Sequence, residues 1–324
     1  MKPKVFVSRM IPQEGLDIIL AVCDAEVNAD DKPLSQAELI DRVKGKEGLL
    51  CLLTDDINDA ILGASPQLKV VANVAVGYNN IDVAAASRRK IIVTNTPGVL
   101  DDTTADFTWC LLLASARRLA ESERYTRAGK YTGWGIMLLC GEDVFGKTIG
   151  ICGLGRIGRG VAKRSKGFDM RILYADAVRA PAEVERELGA QFADKETLFR
   201  EADFVTLHLP LLPETHHYVS VEELKLMKKT AHLINASRGP VVDEVALVQA
   251  LRERWIAGAG LDVYEHEPQM APGLTELDNV TLAPHIASAS VETRKKMAVM
   301  AATNLVEALQ GRRPPNIVNP EVVA

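Results

Sequence analysis

The stretch TIGICGLGRIGRGVAKRS, residues 148–165, decides how the rest of the chain is read. An apolar run, TIGIC, ends just before Gly153. Gly155 and Gly158 follow at fixed offsets, and a basic, helix-prone run, RIGRGVAKRSKGF, begins inside the motif. With glycine at about 7% of residues, three glycines at these offsets arise by chance about 0.1 times in a chain of this length, so the spacing alone is weak. Its context is stronger. A second apolar run, MRILYA (170–175), ends at Asp176, which lies 23 residues beyond Gly153. Strand, glycine loop, helix, strand and acid together form the dinucleotide-binding fingerprint.

Each glycine has a physical task in that reading. Gly153 makes the tight turn out of the strand. Gly155, lacking Cβ, lets the backbone approach a pyrophosphate, and Gly158 lets helix and strand pack closely. The helix start offers unpaired N–H groups and a partial positive charge to the anion. Asp176 is placed to accept hydrogen bonds from the adenine ribose hydroxyls and to repel a 2′-phosphate. At 4 Å and an effective dielectric of 20 that repulsion is about 4 kcal/mol before solvent reduces it. The expected cofactor is therefore NAD, with NADH preferred over NADPH. Arg179, three residues on, is the residue that would soften the preference.

Outward from this stretch, apolar runs alternate with amphipathic ones. Strands are predicted at 4–8, 47–53, 68–74 and 91–95, then at 148–152, 170–175, 203–209, 231–237, 257–263 and 279–284. Helices are predicted at 35–44, 82–89, 183–189, 221–227 and 243–254. The strands are apolar on both faces, which suits parallel sheets covered by helices on each side. The expected class is α/β, doubly wound twice. In 94–130, turn chemistry gives way to a long helix, with Asp101, Asp102 and Thr103 as capping candidates. This marks the crossing between domains. A last helix near 290–310, followed by the Pro-rich GRRPPNIVNP, is expected to return to the first domain. The division is 1–100 with 288–324 as one discontinuous domain and 101–287 as the other, with a cleft between them.

Composition sets the outer bounds. The chain has 324 residues, a length that suggests roughly two domains. Its net charge of −5 and the lack of a long basic run give no reason to expect nucleic acid. The most apolar helix-like stretch, FTWCLLLASA (107–116), is too short to span a bilayer and reads as buried helix. The N-terminus lacks the apolar core of a signal peptide. Five cysteines form no CxxC pair, and Cys51, Cys110 and Cys152 sit in apolar runs as small hydrophobes. A reducing cytoplasm fits best, and no metal is expected.

Three further segments, LINASRGPVVDE (233–244), GAGLDVYEHEP (258–268) and LAPHIASAS (282–290), follow the loop in order. With VAVGYNNID (74–82) and TTAD (103–106) upstream, they give the chain a resemblance, over nearly its whole length, to the D-isomer-specific 2-hydroxyacid dehydrogenases. Within that family it looks closest to glyoxylate/hydroxypyruvate reductases. The resemblance implies a Rossmann cofactor domain at 101–287 and a flavodoxin-like substrate domain from the rest. It implies a catalytic set of Arg238, Glu267 and His285. The chemistry suits these residue types. Reduction of a 2-oxo acid builds negative charge on the carbonyl oxygen, and an imidazole can supply the proton it needs. Glu267 would favour the protonated imidazole. Arg238 would hold the carboxylate with a fixed fork of donors. His266 and Glu265 flank Glu267, but the family's acid immediately precedes the proline, and that selects Glu267.

Further carry-overs follow from the same resemblance. Arg156, Ile157, Thr104, Pro210 and Asp262 join the cofactor set, Asp262 as acceptor from the nicotinamide amide. Leu53, at the end of a first-domain strand, Val76 and Gly77 in the carboxylate loop, and Ser288 join Arg238 in the substrate set. Trp134 resembles a residue that reaches the neighbouring subunit's site, so a homodimer is expected. Formate dehydrogenases place Gln where Glu267 stands, and phosphite dehydrogenases place Lys at Val76, which disfavours both substrates. Many phosphoglycerate dehydrogenases add a C-terminal regulatory domain not seen here, which ranks that alternative lower. An NAD-sensing corepressor ranks lower still. The expected partner is a small 2-oxo or 2-hydroxy acid, with no membrane association.

Overall fold

The computed structural model of the protein describes residues 1–323. It divides into two compact units, Met1–Leu100 together with the described residues from Ala289 onward, and Asp101–Ser288.

The first unit is built on five parallel strands, β1 (Lys4–Val7), β2 (Asp24–Val27), β3 (Gly48–Cys51), β4 (Val70–Asn73) and β5 (Ile92–Thr94), in the order β2-β1-β3-β4-β5. This is the flavodoxin-like order. Helices α1 (Gln13–Val22), α2 (Gln36–Val43), α3 (Asp59–Gly63) and α4 (Val83–Arg88) connect them. Sequence signals start several of these helices. Ser35 and Glu38 form a capping box on α2, and the Asn58 and Asp82 side chains accept backbone N–H groups at the starts of α3 and α4.

The second unit holds seven parallel strands: β6 (Thr148–Cys152), β7 (Arg171–Ala175), β8 (Ala190–Phe192), β9 (Phe204–Leu207), β10 (His232–Asn235), β11 (Gly258–Leu261) and β12 (Val280–Leu282). Their order is β12-β11-β10-β9-β6-β7-β8. Counted within the unit, this is the doubly wound order 3-2-1-4-5-6 with one strand more, and it reverses between β6 and β9. Helices α5 (Asp101–Ala116) and α7 (Arg156–Ser165) cover one face, where Trp109, Leu112, Ile151, Val161 and Tyr174 form the core. Helices α9 (Lys195–Glu201), α10 (Val221–Leu226) and α11 (Glu244–Arg252) cover the other, over Leu198, Phe199, Val205, Leu233 and Leu247. Helices α6 (Leu119–Arg127) and α8 (Ala182–Leu188) complete the unit. The chain then re-enters the first unit as α12 (Val291–Leu309), which packs on α1 and against β3, β4 and β5. Gly15 permits that approach, since a Cβ there would lie 2.9 Å from Ala298.

Three local expectations need correction. Helix α5 begins at Asp101 itself, so Asp101, Asp102 and Thr103 lie inside its first turn, where the two acids complement the helix dipole rather than precede it as caps. Cys110 faces outward, because its position on α5 is turned away from the sheet that buries Trp109 and Leu111. Leu53 lies in the turn after β3, which closes at Cys51.

Candidate active site

The glycine loop leaves β6 at the point where strand order reverses, the place where doubly wound sheets bind ligands. Gly153 has φ +93°, and a Cβ there would sit 2.7 Å from the His208 carbonyl oxygen beyond β9. A Cβ on Gly158 would lie 2.1 Å from the Gly153 carbonyl, so the first turn of α7 touches the loop directly. Gly155 caps α7 and is open, with nothing within 4 Å of the place a Cβ would occupy. An open glycine at a helix start, with N–H groups lacking a helical partner, fits a dinucleotide pyrophosphate. Arg156 and Ile157 are the first residues of α7, Arg156 exposed and Ile157 half-buried.

Asp176 directly follows β7 as the fingerprint requires, and it also ties the loop. Its Oδ2 accepts the Leu154 N–H at 2.7 Å, while Arg159 Nε donates to the Leu154 carbonyl at 3.1 Å. Arg179 is turned elsewhere. Its fork holds Glu185 at 2.8 and 3.0 Å. With the Tyr174 hydroxyl, that fork pushes the Glu185 carboxyl down to about 2.

Arg238, Glu267 and His285 belong to the same unit and come from three loops after consecutive sheet neighbours β10, β11 and β12. His285 Nδ1 and Glu267 Oε2 are 2.8 Å apart, and Tyr264 N–H donates to Glu267 Oε1 at 3.1 Å. Burial works to raise the Glu267 pKa. The hydrogen bond and charge of His285, the Tyr264 N–H and the charge of Arg238 outweigh it, so Glu267 stays below the usual carboxylate range. For Arg238, burial lowers the guanidinium and the Glu267 charge opposes it. Arg238 Nη1 donates to the Ser237 carbonyl at 2.7 Å, and Asn235 Nδ2 donates to the Arg238 carbonyl at 2.9 Å. Glu265, the neighbour that competes with Glu267 in the sequence, turns instead to His217 at 2.6 Å.

His285 has a left-handed backbone, φ +55°, which a non-glycine residue adopts at a cost. Asp262 holds it there. The buried carboxylate accepts Ile286 N–H and Ala287 N–H, each at 2.7 Å, and the Asp262 carbonyl accepts His285 N–H at 2.9 Å. Burial raises the Asp262 pKa against those two N–H bonds. Thr104 is buried within α5, Pro210 is exposed beyond β9 and accepts Thr215 Oγ1 at 2.6 Å, and Ser288 closes the unit.

Val76 and Gly77 follow β4 in the first unit. Three asparagines fix their loop, a feature the sequence reading did not single out. Asn95 Nδ2 donates to the Val76 carbonyl at 2.8 Å, and Asn73 Nδ2 to the Gly77 carbonyl at 2.9 Å. Asn80 accepts from Asn73 and donates to the Leu52 and Asp55 carbonyls. In a trans peptide N–H and C=O point opposite ways. The N–H groups of Gly77 and Tyr78 therefore face away from these asparagines. The signal was an amide side chain at the end of an otherwise apolar strand.

Known proteins resemble this chain closely. Residues 109–287 match the model of the D-isomer specific 2-hydroxyacid dehydrogenase, NAD binding domain. A glyoxylate reductase of Korarchaeum cryptofilum is 53% identical, with 100% of this chain and 98% of that protein covered. The glyoxylate reductase of Pyrococcus horikoshii is 50% identical, with 100% and 98% covered. A crystal structure from Thermus thermophilus superposes with a TM-score of 0.91 at 43% identity, covering 97% of this chain and 99% of that one. The NADPH-dependent glyoxylate/hydroxypyruvate reductase of Sinorhizobium meliloti, solved with NADP and malonate, gives a TM-score of 0.85 at 33% identity, covering 98% and 97%.

Proposed function

The chain belongs to the D-isomer-specific 2-hydroxyacid dehydrogenases, and from that premise we propose that it reduces a small 2-oxo acid, glyoxylate or hydroxypyruvate, to the 2-hydroxy acid with NADH. The observation that carries the proposal is the 2.8 Å pair of His285 Nδ1 and Glu267 Oε2, in the unit that also holds Arg238 and the glycine loop. The bound nicotinamide supplies the hydride. The protein's own residues do the rest. Glu267, held ionised, accepts at Nδ1 and leaves Nε2 of the charged ring to give its proton to the developing alkoxide. Asp262 fixes the backbone turn that aims the ring. Arg238 orients the substrate carboxylate and polarises the carbonyl. The N–H groups at Val76 and Gly77 assist with the carboxylate, and Leu53 and Ser288 line the substrate. Thr104 and Pro210 contribute to cofactor contacts.

Asp176 supports NADH over NADPH, and the Arg179 fork, already engaged by Glu185, supports the same choice. An exposed apolar arm supports a homodimer. Tyr131, Trp134, Ile136, Met137 and Phe145 all lie on it, with Trp134 80% exposed. The arm returns tightly to α5. A Cβ on Gly141 would lie 2.2 Å from the Ala116 carbonyl, which also accepts Glu142 N–H at 2.9 Å. Among the described residues no helix is long and apolar enough to cross a membrane. The cysteine usage supports a cytoplasmic setting.

The test is NADH oxidation followed at 340 nm with glyoxylate, hydroxypyruvate and pyruvate, in wild type and His285→Ala. The substitution should lower kcat by about 10²–10⁴. Reduction and oxidation of the hydroxy acid should show opposite pH profiles, because one direction needs the acid form of the proton carrier and the other its base form. Wild-type turnover by His285→Ala, or identical pH profiles in both directions, would refute the assignment. Absence of turnover with every 2-oxo acid would favour the corepressor reading.

A further inference from the structure

The roles proposed for Arg238, Glu267 and His285 leave one question: what holds Glu267 and Arg238, on separate loops, at fixed places? Glu265 lies two residues before Glu267. Its carboxylate pairs with His217 Nε2 at 2.6 Å and accepts the Glu244 N–H at 3.2 Å. Glu244 answers with its own carboxylate, which accepts the Glu265 N–H at 2.7 Å and the Ala271 N–H at 2.6 Å. The two acids thus exchange carboxylate–amide bonds in both directions. Glu244, only 4% exposed, brackets the segment 265–271 at both ends.

His217 extends this frame to the other loop. Its N–H donates to the Pro240 carbonyl at 2.8 Å, two residues past Arg238. Its backbone is left-handed, φ +51°, a conformation that costs energy in a non-glycine residue and persists only when its surroundings impose it. Between the loops there is no room for a side chain. A Cβ on Gly239 would fall 1.8 Å from the Tyr264 carbonyl oxygen. Tyr264 N–H in turn donates to Glu267. One continuous frame therefore runs from the Arg238 loop through His217, Glu265 and Glu244 to Glu267.

We propose that Glu265, clamped between His217 and Glu244, is a positioning residue that sets Glu267 relative to Arg238, and through Glu267 the aim of the His285 ring. It acts without touching the reactants. Had the three residues served stability alone, the two carboxylates could satisfy any nearby N–H groups. Here the bonds tie the two functional loops to each other, to His217 and to the first residue of α11.

This inference rests on the reading of His285 given above, and the experiment separates the two. Full-length Glu265→Ala, His217→Ala, His217→Gln and His285→Ala are compared for kcat, KM, thermal midpoint and the pH profile of glyoxylate reduction. The groups that face His285 are Glu267 and Asp262, with Arg238 acting on Glu267. Glu265→Ala should lower kcat by about 10²-fold, the scale of a 1 Å misplacement. KM for NADH should stay near wild type, and the pH profile of reduction should move. His217→Ala should behave alike, and His217→Gln, which can still donate to Glu265, should recover most of the loss. The His217 pair decides the matter even if Glu265→Ala is unstable. Wild-type kcat in His217→Ala overturns the inference. So does an activity loss that follows the thermal midpoint with an unmoved pH profile and no rescue by glutamine. Wild-type activity in His285→Ala would instead sink the site reading on which the inference stands.

Discussion

His232 should make the protein acid-labile by an amount that can be worked out. It opens β10, is 4% exposed, and its Nδ1 lies 2.8 Å from Ser115 Oγ. The ring stacks on Phe204 at 5.5 Å. Burial pushes its pKa down to about 4. In the unfolded chain a histidine titrates near 6.5. Between these values the unfolded chain binds a proton that the folded chain refuses, so this contribution to stability is whole above about pH 6.5 and is lost as the pH falls toward 4. At pH 5 the unfolded state gains RT ln(1 + 10^1.5), and at pH 7 almost nothing. The difference is about 2 kcal/mol. It barely depends on the folded value, because at pH 5 the folded ring is still mostly neutral.

Replacing His232 with glutamine keeps a hydrogen-bonding partner for Ser115 and removes the titration. Urea unfolding of wild type and His232→Gln at pH 7 and pH 5 gives four free energies. Wild type should lose about 2 kcal/mol more than the variant between the two pH values. His208, whose pKa burial pushes down to about 3, is present in both proteins and cancels. Equal losses in the two proteins would show that His232 is protonated in the fold, and the argument from burial would fail. The variant also widens the acidic range over which a change in activity can be assigned to His285 rather than to unfolding.

Cofactor choice and loop geometry give two more tests. Glu185→Gln removes the charge that holds the Arg179 fork, so kcat/KM with NADPH should rise while that with NADH changes little; an unchanged or lower NADPH value would mean that Arg179 does not limit the choice. In Gly158→Ala the new methyl would start 2.1 Å from the Gly153 carbonyl. The loop or α7 must yield, at about 1–3 kcal/mol. If that strain falls on the bound geometry, the Kd for NADH should rise roughly 5–150-fold by fluorescence titration, and an unchanged Kd would refute the close-packing role.

The central strands were legible because they are buried on both faces. TIGIC at 148–152 coincides with β6 to the residue, and β3, β4, β9 and β10 lie inside longer apolar runs. Of the four edge strands, β5 and β12 were read at 91–95 and 279–284, but β2 and β8 were not. DAEV in β2 and AQF in β8 each pair on one side only, leaving Asp24, Gln191 and Phe192 exposed. Asp24 and Glu26 interrupt β2 and Gln191 interrupts β8, so neither writes an apolar run. The capped helices α2 and α11 stood out, whereas the shorter α3 and α9 did not although Asn58 and Asp194 cap them. Helix α1 did not either: QEGLDIILAV carries Gly15, a poor helix former kept for its contact with Ala298.

The candidate site was legible for a different reason, one that parallel topology supplies. A parallel sheet brings the carboxyl ends of all its strands to one edge. Gly153 lies one residue past β6, Asp176 one past β7, Asp262 one past β11, and Arg238 and His285 each three past β10 and β12. Motifs far apart in sequence therefore share an edge as soon as each is known to follow a strand, and no further knowledge of the fold is needed to group them. The residues of the frame escape this logic. Glu244 is the first residue of α11, His217 lies well past β9 before α10, and Glu265, although in the loop after β11, is told from Glu267 only by its partners. Their convergence depends on how loops of particular lengths fold back on one another, which has no period and no motif. The groups proposed to meet the reactants are thus the ones a sequence can announce, and those that hold them in place come to light only through the hydrogen bonds of the folded chain.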